Sequence, residues 1–473
     1  MTVKKGIRDF NKYFKLVLKS IKGGEVDYTK INLTKAVILL AIPMMLEMMM
    51  ESVFALVDLY FVGHLEESSF AIQTVGLTES VLTIMYSIAI GLSMAATAVV
   101  ARRIGEKDAK KAALSAAQAI LIAGLLTIVL SIFGVIFAKD ILLLMGASPE
   151  SAEYGKTFTA IMFGSSISII LLFLINGIFR GAGNAAIAMK SLWLANICNI
   201  ILCPILIQGW FGLPALGLTG AAVATATGRS IGVMYQLYHL FIAPSIVSLK
   251  LKNFVPDVEI MGRLLKIATP AVFQFIIASC SWIVLARLVA ITGGDEGSAG
   301  YQTALRLMMF FMLPAWGLSS AATTLVGQNL GADQPERAEA SVMKTVLFNV
   351  IYMIFVSLIF FLLATVLVEI FTEEERVGVI AKNAMYVMAS GFVFYGIGMV
   401  MLNAFNGSGD TWTPTKINFF GFWLLQIPLA YVLAQSLNFN EMGVFIAIPV
   451  SEMAITIASY IIFKRGKWKT IQV

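Results

Sequence analysis

Cysteine and histidine are nearly missing from this sequence, at three and two residues among 473. Cys198, Cys203 and Cys280 make no CxxC pair and no disulfide framework, and Cys203 and Cys280 read as packed thiols. His64 and His239 are far apart, with no HxxxH spacing and no Cys/His cluster, which argues against a zinc or other transition-metal enzyme. Charge is scarce as well: 13% of residues, where a soluble domain carries about 25%. The glycine pieces "GAG" at 181–183 and "GSG" at 407–409 continue neither as GxxxxGK[ST] nor as GxGxxG, so no ATPase domain is indicated. The net charge of +6 is spread along connecting segments and forms no basic face, which disfavours nucleic acid as a partner. The first residues are too charged for the apolar core of a signal peptide.

Apolar residues take the space instead, at 59% of the chain, with a mean hydropathy of +0.85. They fall in runs of about 20 residues, each able to cross about 30 Å of hydrocarbon as a helix. The short alternating segments of a membrane barrel are not the pattern. Twelve spans are expected, near 36–62, 73–99, 113–138, 158–178, 190–211, 214–243, 264–292, 302–327, 344–370, 382–404, 416–437 and 441–463. The fold class is therefore all-α, a polytopic helical membrane protein. Connections rich in Lys and Arg (Lys4 to Lys19, Arg102 to Lys111, Lys250 and Lys252, Lys464 to Lys469) alternate with acidic ones (Glu66, Asp140, Glu150, Asp295, Glu296, Glu373 to Glu375, Glu441). The positive-inside rule then puts both termini in the cytoplasm of an inner, plasma-membrane protein. Phe10, Tyr13, Phe14, Val17, Leu18 and Ile21 recur at helical spacing among lysines, which suits either an interfacial amphipathic helix or a loose basic tail.

The chain repeats itself. "GLSMAATAVVARRIG" at 91–105 aligns with "GLSSAATTLVGQNLG" at 317–331, an offset of 226, and "FRGAGN" at 179–184 falls on "FNGSGD" at 405–410. "IPMMLE" at 42–47 matches "TPAVFQ" at 269–274 at an offset of 227. The expected organisation is a basic tail (1–30), a six-helix lobe (31–243), a cytoplasmic linker (244–262) and a second six-helix lobe with a basic tail (263–473). An even number of spans per lobe gives both the same polarity, so a pseudo-twofold axis along the membrane normal relates them, as in parallel-repeat transporters.

One apolar stretch, "LEMMMESVFALVDLY" at 46–60, carries Glu47, Glu51 and Asp58 and no base. At about 100° per residue the three lie on one helical stripe within about 40°, spread over about 16 Å. Facing lipid, each carboxylate would cost about 2.5–3.5 kcal/mol, so the stripe should face the lobe interior. Glu47 and Glu51 are open to two readings, protonated packing groups or members of an ion site.

The motif PxxxE, "VDLYFVGHL", "GLSMAATAVVARRIG", "FRGAGN" and "NICNIILCP" with "LGLTGAAVAT", in this order and half repeated, resembles the multidrug and toxic compound extrusion family along essentially the whole chain. The resemblance implies a secondary exporter of organic, often cationic, compounds, with Na+ or H+ as coupling ion, no other cofactor, and a large cavity between the lobes. It implies that Asp58 binds the cation or proton, aided by Glu51, Glu47 and Asn199, with Na+ at Asp58 and Asn199. Where the family pattern N-x-x-L-D would place a second aspartate, this chain has Cys203, and a thiol is a poor ligand for a hard cation. Asn196, Thr225 or Glu51 are the replacements considered. A span 7 glutamate of some relatives becomes Gln274. Phe273, Gln274, Tyr301, Met308, Trp316 and Arg306 are the expected cavity residues, since aromatic faces and thioethers suit organic cations. Small organic molecules and membrane lipids are the expected partners of a functional monomer. The same architecture exporting or flipping a dedicated metabolite or lipid-linked substrate is the alternative. An enzyme is disfavoured because the three carboxyls have no matching base, metal cluster or nucleophile.

Overall fold

The computed structural model describes residues 14–63, 68–372 and 374–473; side chains at 56, 58, 59, 62, 63, 68 and 69 lie outside it. Phe10, Tyr13 and His64 are likewise outside the described residues. A short helix α1 (14–22) precedes α2 (Leu33–Gly63), α3 (Ser68–Gly105), α4 (Ala109–Ile136), the short α5 (Ala138–Leu144), α6 (Pro149–Gly164), α7 (Ser166–Gly181), α8 (Ala185–Gln208) and α9 (Gly217–Phe241). The second half holds α10 (Val258–Gly331), α11 (Pro335–Glu369), α12 (Glu375–Ala389), α13 (Phe392–Ser408), α14 (Trp412–Ser436) and α15 (Asn440–Lys464). Starts are set by local chemistry. Ser148 accepts from Ser151 N with Pro149 behind it, Asp108 caps α4 and Asp257 caps α10, each satisfying orphan N–H groups of the first turn.

Nine of these helices are long and apolar enough to cross a bilayer, and the pair α12–α13, bent by 54°, makes a tenth. Helix α10 supplies two spans. Its backbone leaves helical geometry at Gly294 (φ 63°, ψ −157°), and the rings of Phe275 and Trp316 meet at 5.5 Å. A straight helix would hold those residues about 60 Å apart at 1.5 Å per residue, so α10 turns back on itself there. With the less apolar α9, twelve spans result among the described residues, and α6 with α7 form one of them, interrupted by a turn at Ser165.

The repeat is visible in three dimensions. Ser165 and Gly391, the two interruptions, are 226 residues apart. Thr97 Oγ1 donates to Gly177 O at 2.9 Å, and its counterpart Thr323 donates to Asn403 O at 3.0 Å. The lobes meet along α3 and the second arm of α10 through reciprocal contacts. Gly105 lies on the backbone of Gln328 while Gly331 lies on that of Arg102; Gly91 abuts Ala268 and Val272 while Gly317 abuts Met44 and Met45. Under the offset of 226–227 Gln328 answers Arg102 and Val272 answers Met45, as an isologous contact requires. A Cβ at any of the four would collide with backbone, so the glycines are what permits this approach.

Both described chain ends pack at this seam. Asp27 pairs with Lys107 at 2.9 Å, and the Tyr28 hydroxyl donates to Gly183 O at 2.9 Å in the first lobe. Arg337 of the second lobe donates to Tyr28 O at 3.0 Å and to Ile31 O. At the other terminus Arg102 donates to Ile471 O and Arg103 to Val473 O. The expected linker is tied to the first lobe: Val247 and Leu249 are buried in its core and Gln118 donates to Asn253 O and Val255 O. Helix α10 begins inside the expected linker, at Val258.

Candidate functional site

Helix α2 delivers the acidic stripe to the interior of the first lobe, where other helices supply what its own sequence lacks. Glu47 is 1% exposed; its Oε1 accepts from Asn176 Nδ2 at 2.9 Å and lies 3.8 Å from Arg180. Asn176 Oδ1 in turn accepts from Ser191 at 2.8 Å and from Gln236 at 2.6 Å, which fixes the amide with its nitrogen toward the carboxylate. The second oxygen of Glu47 has no hydrogen-bond partner among the described residues. One turn further on, Glu51 Oε2 accepts from Asn196 at 3.0 Å and Oε1 lies 3.5 Å from Arg229. Arg229 also reaches the Tyr86 hydroxyl at 3.2 Å and sits 5.6–5.9 Å from the ring centroids of Phe54, Tyr86 and Phe173. The partly buried Arg180 of α7 and the buried Arg229 of α9 therefore compensate two of the three carboxyls, the arrangement a low-dielectric interior demands of buried charge. Arg180, in the last turn of α7, points toward Glu47.

Asp58 lies on the same helix, and its side chain is outside the described residues. Asn199 is buried; its amide nitrogen donates to Thr225 at 2.9 Å and its Oδ1 has no partner among the described residues. Asn199 Oδ1 and Glu47 Oε2 are the oxygens whose chemistry fits a hard cation such as Na+. Cys203 is fully buried in an apolar cluster with Val75, Leu82, Leu218 and Ala221, so it packs the lobe.

On the second-lobe side a cavity of ≈ 360 Å³ opens between the two arms of α10, helices α13, α14 and α15, and Ile90 and Met94 of α3. Gln274 and Trp316 line it. The other expected cavity residues stand elsewhere. Phe273 is half exposed and outside the lining, and Phe275 takes its place. Tyr301 is fully buried, stacked on Phe445 at 5.9 Å in the lobe core. Met308 is core, while Met309 and Met312 line the cavity; Arg306 is exposed. One residue is about 100° on a helix, so a neighbour's side chain faces another surface. Sequence reasoning did not name Asn406, Asn418 or Tyr395, which line the cavity together with Glu452. The internal repeat held a signal for one of them, because Asn406 occupies the position of Arg180. Helix α14 widens into π-helical turns over Phe419–Gln426 next to the cavity, a local form often found at functional sites.

Two six-helix lobes related by a parallel repeat, each with buried polar groups inside, define a polytopic membrane transporter. The MatE family model matches residues 43–205 and again 270–432, at the same offset as the repeat, and the chain belongs to that family. It is 26% identical over 438 residues to a probable multidrug resistance protein NorM of Thermotoga maritima, covering 93% of this chain and 94% of that one. It is 27% identical over 419 residues to an FAD transporter of Shewanella oneidensis, covering 87% and 90%. A multidrug resistance MATE family transporter of the MOP superfamily, solved in an outward-facing conformation, superposes with a TM-score of 0.88 at 25% identity, covering 93% of this chain and 97% of that one.

Proposed function

We propose that the protein is a secondary antiporter of the inner membrane that exports organic, often cationic, compounds in exchange for Na+ or H+ by alternating access. The observation that carries this reading is the seam. The glycine contacts that bring the lobes together lie toward the end where Asp27, Tyr28 and the C-terminal residues pack, within about 21 Å of Gly105 along α3 at 1.5 Å per residue. A structure sealed at one end through small reciprocal contacts is suited to rock open there, and the positive-inside rule makes that end cytoplasmic. The protein then acts as a transporter, with no catalytic residue, and one chain holds both lobes and works as a monomer.

Coupling belongs to the first lobe in this reading. Asp58 takes the ion or proton, and Glu47, Glu51 and Asn199 complete the polar surroundings. The likeness to an FAD transporter favours one second reading, a dedicated metabolite as cargo. The test is efflux of a fluorescent organic cation from proteoliposomes under separately imposed Na+ and H+ gradients. Wild type should respond to one gradient, and Asp58→Asn should lose that response while still inserting into the membrane. No gradient-driven movement of any test cation would reject the drug-export reading.

A further inference from the structure

Helices α14 and α15 part on the apolar outer surface of the second lobe and leave a groove of ≈ 580 Å³. Phe420, Leu424 and Ile457 beside it are exposed, as side chains that face lipid are. Ala454, Ala458 and Ile462 line the groove at one-turn intervals on α15, with Gly421 and Leu425 from the π-helical turns of α14. In the first lobe the corresponding face is closed. Gly228 and Gly232, 226 residues before Ala454 and Ala458, are buried against Ala195. The two alanines are only half-buried, so the second lobe keeps open what the first fills.

One end of the groove is basic, with Lys416, Arg465 and Lys467 in its lining. The neighbouring Lys464 and Lys469 pair with Glu339 at 2.8 and 2.7 Å. Among the described residues the three lining bases have no carboxylate within salt-bridge distance. Asp410 also lines this end, but its oxygens accept from the Thr413 N–H at 3.1 Å and hydroxyl at 2.6 Å. Three bases against one carboxylate leave the end positive. From Arg465 back to Ala454 is about 16 Å along α15, close to half of a hydrocarbon core about 30 Å thick. The groove is thus one leaflet deep, with its charge at the membrane surface.

We propose that this groove binds an anionic phospholipid, its phosphodiester among Lys416, Arg465 and Lys467 and one acyl chain along Gly421, Ala454 and Ala458. Basic pockets between transmembrane helices suit anionic headgroups. Bulk lipid is as apolar as the groove, so the chain contributes fit and the bases contribute selectivity. The proposal is independent of the cargo and of the coupling ion.

The test is native mass spectrometry of the full-length protein in micelles that contain phosphatidylglycerol or phosphatidylcholine with the same acyl chains. Wild type should retain phosphatidylglycerol about 10-fold more tightly than phosphatidylcholine. Lys416→Gln with Arg465→Gln should weaken phosphatidylglycerol by about 10-fold or more, at about 5-fold per base, and spare phosphatidylcholine. Both side chains are exposed, so this variant should fold. Lys250→Gln with Lys252→Gln, two exposed bases of the linker, should change neither lipid. Ala458→Leu keeps every base but fills the groove, and should lose most of the retained phosphatidylglycerol. Glycerol phosphate, a headgroup without chains, should not displace the lipid. Equal retention of the two lipids by wild type would overturn the proposal. So would equal weakening by the groove pair and the linker pair, the mark of diffuse surface charge. Unchanged retention in Ala458→Leu, or displacement by glycerol phosphate, would leave a phosphate site without a chain and overturn it as well.

Discussion

Arg229→Met should destabilise the protein far more than a surface charge deletion, because Glu51 would remain inside the lobe without its cation. The Arg229 side chain is 4% exposed and that of Glu51 is 19% exposed. Removing one partner of a buried pair costs about 3–5 kcal/mol. Glu51 keeps its bond from Asn196, and the separation of 3.5 Å is long, so the lower end of about 3 kcal/mol applies. Loss of the guanidinium from Phe54, Tyr86 and Phe173 adds about 1 kcal/mol. Glu51→Gln alone removes the carboxylate nearest the guanidinium, which keeps the Tyr86 hydroxyl, and costs about 1.5–3 kcal/mol. The double variant removes both members of this pair, and replacing a whole buried pair is often close to neutral. It should cost no more than about 2 kcal/mol, well below the two single effects together. Denaturant unfolding in mixed micelles, followed by tryptophan fluorescence, reads all three. Single variants that each lose less than about 1 kcal/mol, as exposed pairs do, or a double variant equal to the sum, would refute the reasoning.

Gly105→Leu should lower the unfolding free energy by about 1–3 kcal/mol through a clash with the Gln328 backbone. It should also raise maleimide labelling of an Ala101→Cys reporter, whereas Gly124→Leu, with open space at its Cβ, should do neither. At Asp27, burial raises the carboxyl pKa, but the hydrogen bonds from Thr29 and Lys107 outweigh it and bring it from 3.8 to about 2. Because the folded value is depressed, the stabilisation is complete above the ordinary carboxylate range and is lost as pH falls through about 2. Hydrogen exchange at Tyr28–Ile31 should thus stay slow from pH 7 to about 4.5, and protection fading between pH 7 and about 5 would contradict the assignment. Cys203→Asp should fold less well, by about 1–3 kcal/mol, because it sets a polar carboxyl among Val75, Leu82 and Leu218. A stable variant with new Na+ dependence would show that Cys203 belongs to an ion site after all.

The twelve spans and the two lobes were legible because length and hydropathy set the crossings and an offset of 226 set the repeat. The first-lobe polar cluster was half legible. Helical phase put Glu47 and Glu51 on one face, but their partners Asn176, Arg180, Asn196 and Arg229 stand more than 120 residues away and come from α7, α8 and α9. No local pattern announces such a pairing. Cys203 was read against a family motif, and only packing shows that its side chain joins an apolar cluster. The second-lobe cavity was the least legible, since Phe273 and Phe275, or Met308 and Met309, differ only in which way a turn of α10 faces. That phase is set by the Gly294 reversal and by contacts with α13 to α15, none of which a single helix encodes.

Rocking about the seam is the central claim, and a reversible lock tests it most directly. Ala101 Cβ would lie 2.6 Å from a Cβ at position 327, closer than the about 3.5–4.5 Å of a disulfide, so a slight parting of the lobes lets Ala101→Cys and Gly327→Cys join. With the three native cysteines replaced, oxidation should stop gradient-driven efflux and reduction should restore it. Efflux that continues at the full rate with the cross-link formed would contradict alternating access through this end.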